Sequence, residues 1–299
     1  MNKISVTEQF ANSAIARSEQ REIKTSFGKS PVWVYPASAK KLGSIVFVHG
    51  YRGTHEGVEP IVGALPEFDC YVPELPGFGH AEAMAVEHNL TNYSNWLDEF
   101  IKELKLSGDV TYFGHSFGTI ILGKYIVNSS DKTRLALLNP VSAWPMRGPR
   151  KIMTKVSLVW YRLAARVPEG IGRWMLSHPI VIWLVTNMLY KGKDPVLKDW
   201  IHAQHKAHFS KFANAKMAEE SFDASNAENM SEFSERIDQP VLLICADRDD
   251  ITSIENQRKV APTYKNATYV ELLGTGHLPH YEHVATVAQH VREFVKINL

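Results

Sequence analysis

The chain has 299 residues, 44% of them hydrophobic and 22% charged, with 33 basic against 32 acidic side chains and a formal charge of +1. That composition is ordinary for a folded globular chain, excludes a disordered or collagen-like one, and carries no global positive excess that would mark a nucleic-acid partner. The length allows one large α/β domain, or such a domain with an inserted subdomain, and either can bury a sizeable core.

Residues 1–20 read as a polar lead-in with one loose helix and no apolar stretch or cleavage site of a signal peptide, so a cytoplasmic location is the default. Residues 21–26 and 31–35 read as the two strands of an opening hairpin around a turn at Phe27, Gly28 and Lys29. Residues 44–48 are a continuous apolar run, the mark of a strand covered on both faces. That run ends in His49-Gly50-Tyr51-Arg52-Gly53, and a glycine-containing loop at a strand's C-terminal end is where an open parallel sheet places ligands. Residues 68–73 form the next strand, followed by the tight turn Leu75-Pro76-Gly77-Phe78-Gly79. Trp96, Phe100, Ile101 and Leu104 recur at helical spacing within residues 92–106.

Residues 109–113 have strand character, meet Gly114-His115-Ser116-Phe117-Gly118, and are followed at once by an apolar helical run over 119–127. In that context the Gly-x-Ser-x-Gly pattern means a nucleophile elbow, a turn so sharp that side chains at Gly114 and Gly118 would collide with the neighbouring strand and helix. The pattern alone is weak, because Gly and Ser are common. After a strand at 134–140 the alternating rhythm stops. Residues 141–236 show only helical runs and carry five of the seven tryptophans, Trp144, Trp160, Trp174, Trp183 and Trp200. The rhythm resumes with a strand at 239–247, a helix near 253–260, a strand at 268–273 and a closing helix from about 282 to 298. The expected architecture is therefore a mostly parallel, twisted α/β sheet with helices on both faces, built from residues 1–140 and 237–299, with 141–236 inserted as a helical cap. Cys70 and Cys245 fall in runs that read as central strands, which predicts buried free thiols rather than a disulfide. The longest apolar run, 180–185, is far below the ~20 residues of a membrane span.

Taken together, His49-Gly50 after a strand, Leu75-Pro76-Gly77-Phe78-Gly79, Gly114-His115-Ser116-Phe117-Gly118, Ala246-Asp247-Arg248-Asp249, and Gly276-His277 before a final helix resemble the α/β-hydrolase fold family over nearly the whole chain. The resemblance implies a Ser116 nucleophile, a His277 base and an Asp249 acid, with the backbone N–H groups of Tyr51 and Phe117 as oxyanion donors. The chemistry needs those residue types. A serine hydroxyl must lose its proton as it attacks, an imidazole can take and return that proton near neutral pH, and a carboxylate must hold the imidazole tautomer.

Asp247 remains an alternative acid, because Asp247, Asp249 and Asp250 share one loop and Ala246 stands where the family has glycine. Asn139, at the family's other acid position, cannot carry the charge. His280 and His283 read as rim or helix-surface histidines, and His202, His205 and His208 lack the carboxylates of a metal-ligand pattern.

A serine rather than an aspartate at the elbow predicts cofactor-independent hydrolysis of an ester or thioester with a hydrophobic portion, through an acyl-enzyme. The alternatives are carbon–carbon bond hydrolysis or lyase chemistry by the same triad, or a non-catalytic binding protein on this fold. Residues 151–167 are amphipathic, with Ile152, Val156, Val159, Trp160, Leu163 and Val167 on one face and Lys151, Lys155, Arg162 and Arg166 on an adjoining stripe. Arg147, Arg150, Arg173, Lys191 and Lys193 extend that local positive excess, against the single acid Glu169. Two expectations follow for this helix: its apolar side packs on the main domain, or it meets an anionic membrane surface or a lipophilic acyl substrate.

Overall fold

The structure, a computed structural model, describes residues 4–144 and 151–298. Helix α1 (Val6–Ile15) is capped by the Ser5 hydroxyl, which accepts the Glu8 N–H at 3.1 Å. Strands β1 (Glu19–Thr25) and β2 (Gly28–Tyr35) form the hairpin, and β3 (Gly43–Val48), helix α2 (His55–Gly63) and β4 (Phe68–Pro73) follow. Then come α3 (Leu90–Leu104), β5 (Val110–His115), α4 (Phe117–Asn128) and β6 (Arg134–Leu138). Among the described residues, five α-helices separate β6 from the next strand: α5 (Lys151–Arg166), α6 (Glu169–Ser177), α7 (Pro179–Leu189), α8 (Pro195–His208) and α9 (Ala215–Ala224). The chain closes with β7 (Val241–Ala246), α10 (Ile254–Val260), β8 (Ala267–Leu272), the one-turn α11 (Pro279–Glu282) and α12 (Val284–Ile297).

The eight strands make one sheet in the order β1-β2-β4-β3-β5-β6-β7-β8. Only β1–β2 and β2–β4 pair antiparallel. The other five pairings are parallel, so β3, β5, β7 and β8 all end on one edge of the sheet. Strand β3 accounts for its own unbroken apolar run. Val46 and Val48 enter one buried layer with α3 and α4, while Ile45 and Phe47 enter the opposite layer with α2 and α12. Cys70 in β4 and Cys245 in β7 are buried free thiols.

Four local features depart from the sequence expectations. Thr25 pairs with Gly28, so the hairpin turns on Ser26 and Phe27, one residue earlier than expected. Helix α2 contains Pro60 and Gly57 and therefore lacks a helical signature, yet burial of Val58, Ile61 and Val62 against the sheet outweighs the missing hydrogen bond. The sequence Ser177-His178-Pro179 predicts Ser177 as N-cap of a helix over 180–190, but Ser177 ends α6 and the His178 ring accepts the Ile180 N–H instead. The fourth concerns α5, whose apolar side does not pack on the main domain. Tyr161 and Ala164 face inward, whereas Ile152, Val156, Val159 and Leu163 are 49–72% exposed. Of the basic residues noted in this region, Arg147 and Arg150 lie outside the described residues.

Candidate active site

Strand β5 delivers Ser116 at its C-terminal end, and the turn there is strained. Ser116 has φ 52° and ψ −118°, a conformation that non-glycine residues seldom adopt. Its flanking glycines explain why the chain can bend so tightly. A Cβ on Gly118 would lie 2.0 Å from the Val48 carbonyl oxygen, and one on Gly114 would lie 2.8 Å from Leu122 Cδ1. The first contact ties α4 directly to the end of β3, and the second lets α4 fold back over its own strand.

The structure brings Ser116, His277 and Asp249 into one hydrogen-bonded line. His277 Nε2 is 3.0 Å from Ser116 Oγ, and His277 Nδ1 is 2.7 Å from Asp249 Oδ2. Asp249 is itself fixed: Oδ1 accepts the Ile251 N–H at 2.7 Å and the Thr252 N–H at 3.2 Å, and Oδ2 accepts the Thr252 hydroxyl at 2.6 Å. Burial pushes this carboxyl upward, but the facing imidazole and these donors outweigh it and hold it below the usual carboxylate range. The other aspartates of the loop point elsewhere. Asp247 accepts the Thr275 N–H at 3.1 Å, and Asp250 pairs with Lys191. Asn139 ties the two loops together, its amide oxygen accepting the Ala246 N–H at 2.8 Å and its nitrogen donating to Gly276 O at 3.3 Å.

Tyr51 and Phe117 both border the space in front of Ser116. Phe117 is the first residue of α4, so its N–H has no intrahelical acceptor and points out of the helix end together with the positive end of the helix dipole. The Tyr51 loop is held from the far side. The Tyr51 hydroxyl donates to Ala218 O at 2.7 Å, and buried Arg52 donates to Phe209 O at 2.8 Å, Leu176 O at 3.1 Å and the Tyr161 hydroxyl at 3.2 Å. Arg52 has φ 56° and is a positioning residue that the sequence reading left without a role. Its only sequence signal was its place in the glycine-flanked loop.

A second unforeseen positioning residue is His115, inside the elbow motif. Its buried Nε2 donates to His277 O at 3.1 Å, and its ring lies 5.1 Å from that of His277 and 4.4 Å from that of His280. Desolvation, with the neighbouring His277 ring, lowers the His115 imidazole to about 3, so it serves as a neutral prop. His280 is buried in α11 and borders the cavity, so of the two readings it is a rim histidine and not a surface group of the closing helix. The inserted segment also grips the histidine loop, since Leu189 O at the end of α7 accepts the His277 N–H at 3.0 Å.

The helical histidines do not converge. His205 bonds Thr186 at 2.8 Å, and His208 faces Glu56 at 2.9 Å. His55, Glu74 and His80 have donor atoms within 4.8 Å of one another. Glu74 already accepts from His55 Nδ1 at 2.7 Å and from the His80 N–H, and Trp33 stacks on His55 at 3.5 Å, so the trio is a hydrogen-bonded support for the turn after β4.

Ser116, Asp249 and His277 lie at the floor of a cavity of about 1260 Å³ walled by α5, α7 and α9. Its walls are mainly apolar, with Val156, Leu163, Leu176, Val181, Leu184 and Phe222 among them, and its volume exceeds the upper end of ordinary small-molecule sites.

A parallel sheet carrying a strained serine turn, followed in chain order by an acid loop and a histidine loop, defines a hydrolase-type α/β protein. The chain belongs to the alpha/beta hydrolase family, whose sequence profile matches residues 45–290. It is 21% identical over 261 residues to Lipase 3 of Moraxella sp. (strain TA144), a match covering 84% of this chain and 76% of the lipase. A match at 24% identity over 139 residues, to a putative 2-succinyl-6-hydroxy-2,4-cyclohexadiene-1-carboxylate synthase of Haemophilus influenzae, covers 40% of this chain and 56% of the synthase. Among solved structures, a putative lipase from Acinetobacter baumannii AYE superposes with a TM-score of 0.78 at 19% identity, covering 100% of this chain and 99% of that one. At that identity the likeness establishes the fold.

Proposed function

We propose that the protein is a serine hydrolase that cleaves a carboxylic ester or thioester with a hydrophobic portion through an acyl-enzyme, without a cofactor. The observation that carries this reading is the continuous Ser116–His277–Asp249 hydrogen-bond line opening onto a large apolar cavity. His277 takes the Ser116 proton as Oγ attacks the carbonyl carbon, and Asp249 stabilises the imidazolium that forms. The N–H groups of Tyr51 and Phe117 receive the developing oxyanion, each contributing ~3 kcal/mol to the barrier reduction. The tetrahedral intermediate collapses as His277 returns the proton to the leaving oxygen or sulfur. Water then attacks the acyl-enzyme by the same route in reverse, releasing the acid and free Ser116.

Helices α5 to α9 act as a cap that excludes water and selects the acyl chain. A fluorophosphonate probe combined with a chain-length series of aryl esters and thioesters tests the reading. Labelling of Ser116 and a preference for longer chains are expected, whereas an unlabelled, inactive folded protein would refute it. The partial likeness to a synthase favours one second reading, carbon–carbon bond chemistry by the same triad. A substrate of that kind would carry carboxylates, which the apolar walls do not favour.

A further inference from the structure

The exposed side of α5, α6 and α7 is not the surface of an ordinary globular domain. Ile152, Val156, Val159 and Leu163 of α5 lie within an arc of about 60° at ~100° per residue and are all strongly exposed, Ile152 on the outside and the other three also bordering the cavity. The buried side of the same helix is centred on Tyr161 and Ala164, which join the core, so the helix carries apolar groups on its exposed side as well as its buried one. Ile171 and Trp174 on α6 and Ile180, Trp183 and Leu184 on α7 continue the surface, each more than half exposed. Single exposed apolar residues need no explanation, but a contiguous set on three successive helices does.

Two further observations say what covers it. Lys155, Arg162 and Arg166 form a stripe directly beside the apolar arc of α5, all exposed; Arg162 approaches Asp223 at 4.0 Å, and Glu219 is the other acid near the two arginines. An apolar face flanked by a basic stripe matches the boundary of an anionic bilayer, apolar chains below and phosphate groups beside them. A second copy of the chain fits poorly, because a two-fold contact would press the same basic stripes together. In addition, Val156, Val159, Leu163 and Leu184 are both strongly exposed and part of the cavity wall, so the cavity mouth opens within the apolar surface itself.

We infer that the outward face of α5–α7 seats on an anionic phospholipid surface, with the cavity mouth pressed against the bilayer so that a lipid acyl chain enters without crossing water. The delivery of substrate rests on the hydrolase reading above, but the docking does not.

Sedimentation of the full chain with vesicles of phosphatidylglycerol and phosphatidylcholine tests it, using Trp174→Glu/Trp183→Glu as the surface variant because neither residue borders the cavity. The wild-type chain is expected to sediment with anionic vesicles, less at high salt, and far less with pure phosphatidylcholine. The double variant is expected to bind on the order of tenfold or more weakly while hydrolysing a short soluble ester unchanged. Ser116→Ala should bind as the wild type does. Failure to sediment at low salt, or a dimer that the double variant abolishes, overturns the docking even if hydrolysis is intact. Vesicle binding by a chain that no fluorophosphonate labels would keep the docking and remove the hydrolase reading.

Discussion

Asp249→Asn isolates one atom of the proposed mechanism, and the structure dictates which way the new amide must turn. Asp249 Oδ1 accepts two backbone donors, the N–H groups of Ile251 and Thr252, and an amide nitrogen cannot replace an acceptor there. The carbonyl oxygen of the asparagine therefore keeps that side, and its NH2 takes the place of Oδ2, facing His277 Nδ1 across the present 2.7 Å contact. An amide N–H donates, so Nδ1 must lose its proton and accept. The imidazole proton then moves to Nε2, 3.0 Å from Ser116 Oγ, where a lone pair is needed to receive the serine proton. The variant preserves shape and packing but holds the wrong tautomer. Loss of kcat should be about ten-thousandfold, or ~5 kcal/mol of barrier. The assay is turnover of a soluble aryl ester, alongside fluorophosphonate labelling and a thermal melt to establish that the variant is folded. In the parallel variant Asp247→Asn the amide oxygen can still accept the Thr275 N–H, so kcat should change by less than about tenfold. A loss under tenfold for Asp249→Asn, or a larger loss for Asp247→Asn, would refute the reasoning.

Gly118→Val should leave little folded protein, because its Cβ would sit 2.0 Å from the Val48 carbonyl oxygen with only backbone to move. Soluble yield and a thermal melt check this, and a variant melting like the wild type would contradict the packing described for the elbow. Arg52→Met removes three buried hydrogen bonds that hold the Tyr51 loop, so stability should fall by about 3 kcal/mol in denaturant titration. Because the loosened loop carries the proposed oxyanion donor Tyr51, its kcat should fall more than its KM rises. Acid should destabilise the protein early. Desolvation lowers His115 to about 3 and His205 to about 4, both below the ordinary ~6.5, so the unfolded chain binds these protons first. Their contribution is complete above about pH 6.5 and is lost as pH falls toward the folded values, about 2 kcal/mol each by pH 5. Asp249, held low instead, contributes stability that stays complete down to the ordinary carboxylate range and is lost only as pH falls below it, outside this window. Thermal midpoints from pH 7.5 to 5 test this, and a flat profile would mean that these rings are solvated.

Much of the fold was legible because its signals are local. The unbroken apolar run of β3 requires cover on both faces, and the glycines around Ser116 mark a turn that no other residue permits. Helix α2 was not legible, since its breaker residues Gly57 and Pro60 are overruled only by burial against a sheet assembled from distant segments.

Sequence by itself therefore determined the order of the strands, the mostly parallel sheet, the helical run between β6 and β7, and the positions from which a serine, an acid and a histidine could meet, because each is written in neighbouring residues. Tertiary structure decided which aspartate faces His277, since Asp247, Asp249 and Asp250 share one loop and are told apart by Thr275, His277 and Lys191 from other parts of the chain. It also decided the roles of Arg52 and His115, whose partners lie on remote segments. The orientation of α5 belongs with these. Amphipathic spacing says that a helix has two sides, but only the packing of Tyr161 and Ala164 into the core leaves its apolar stripe exposed at the cavity and its mouth.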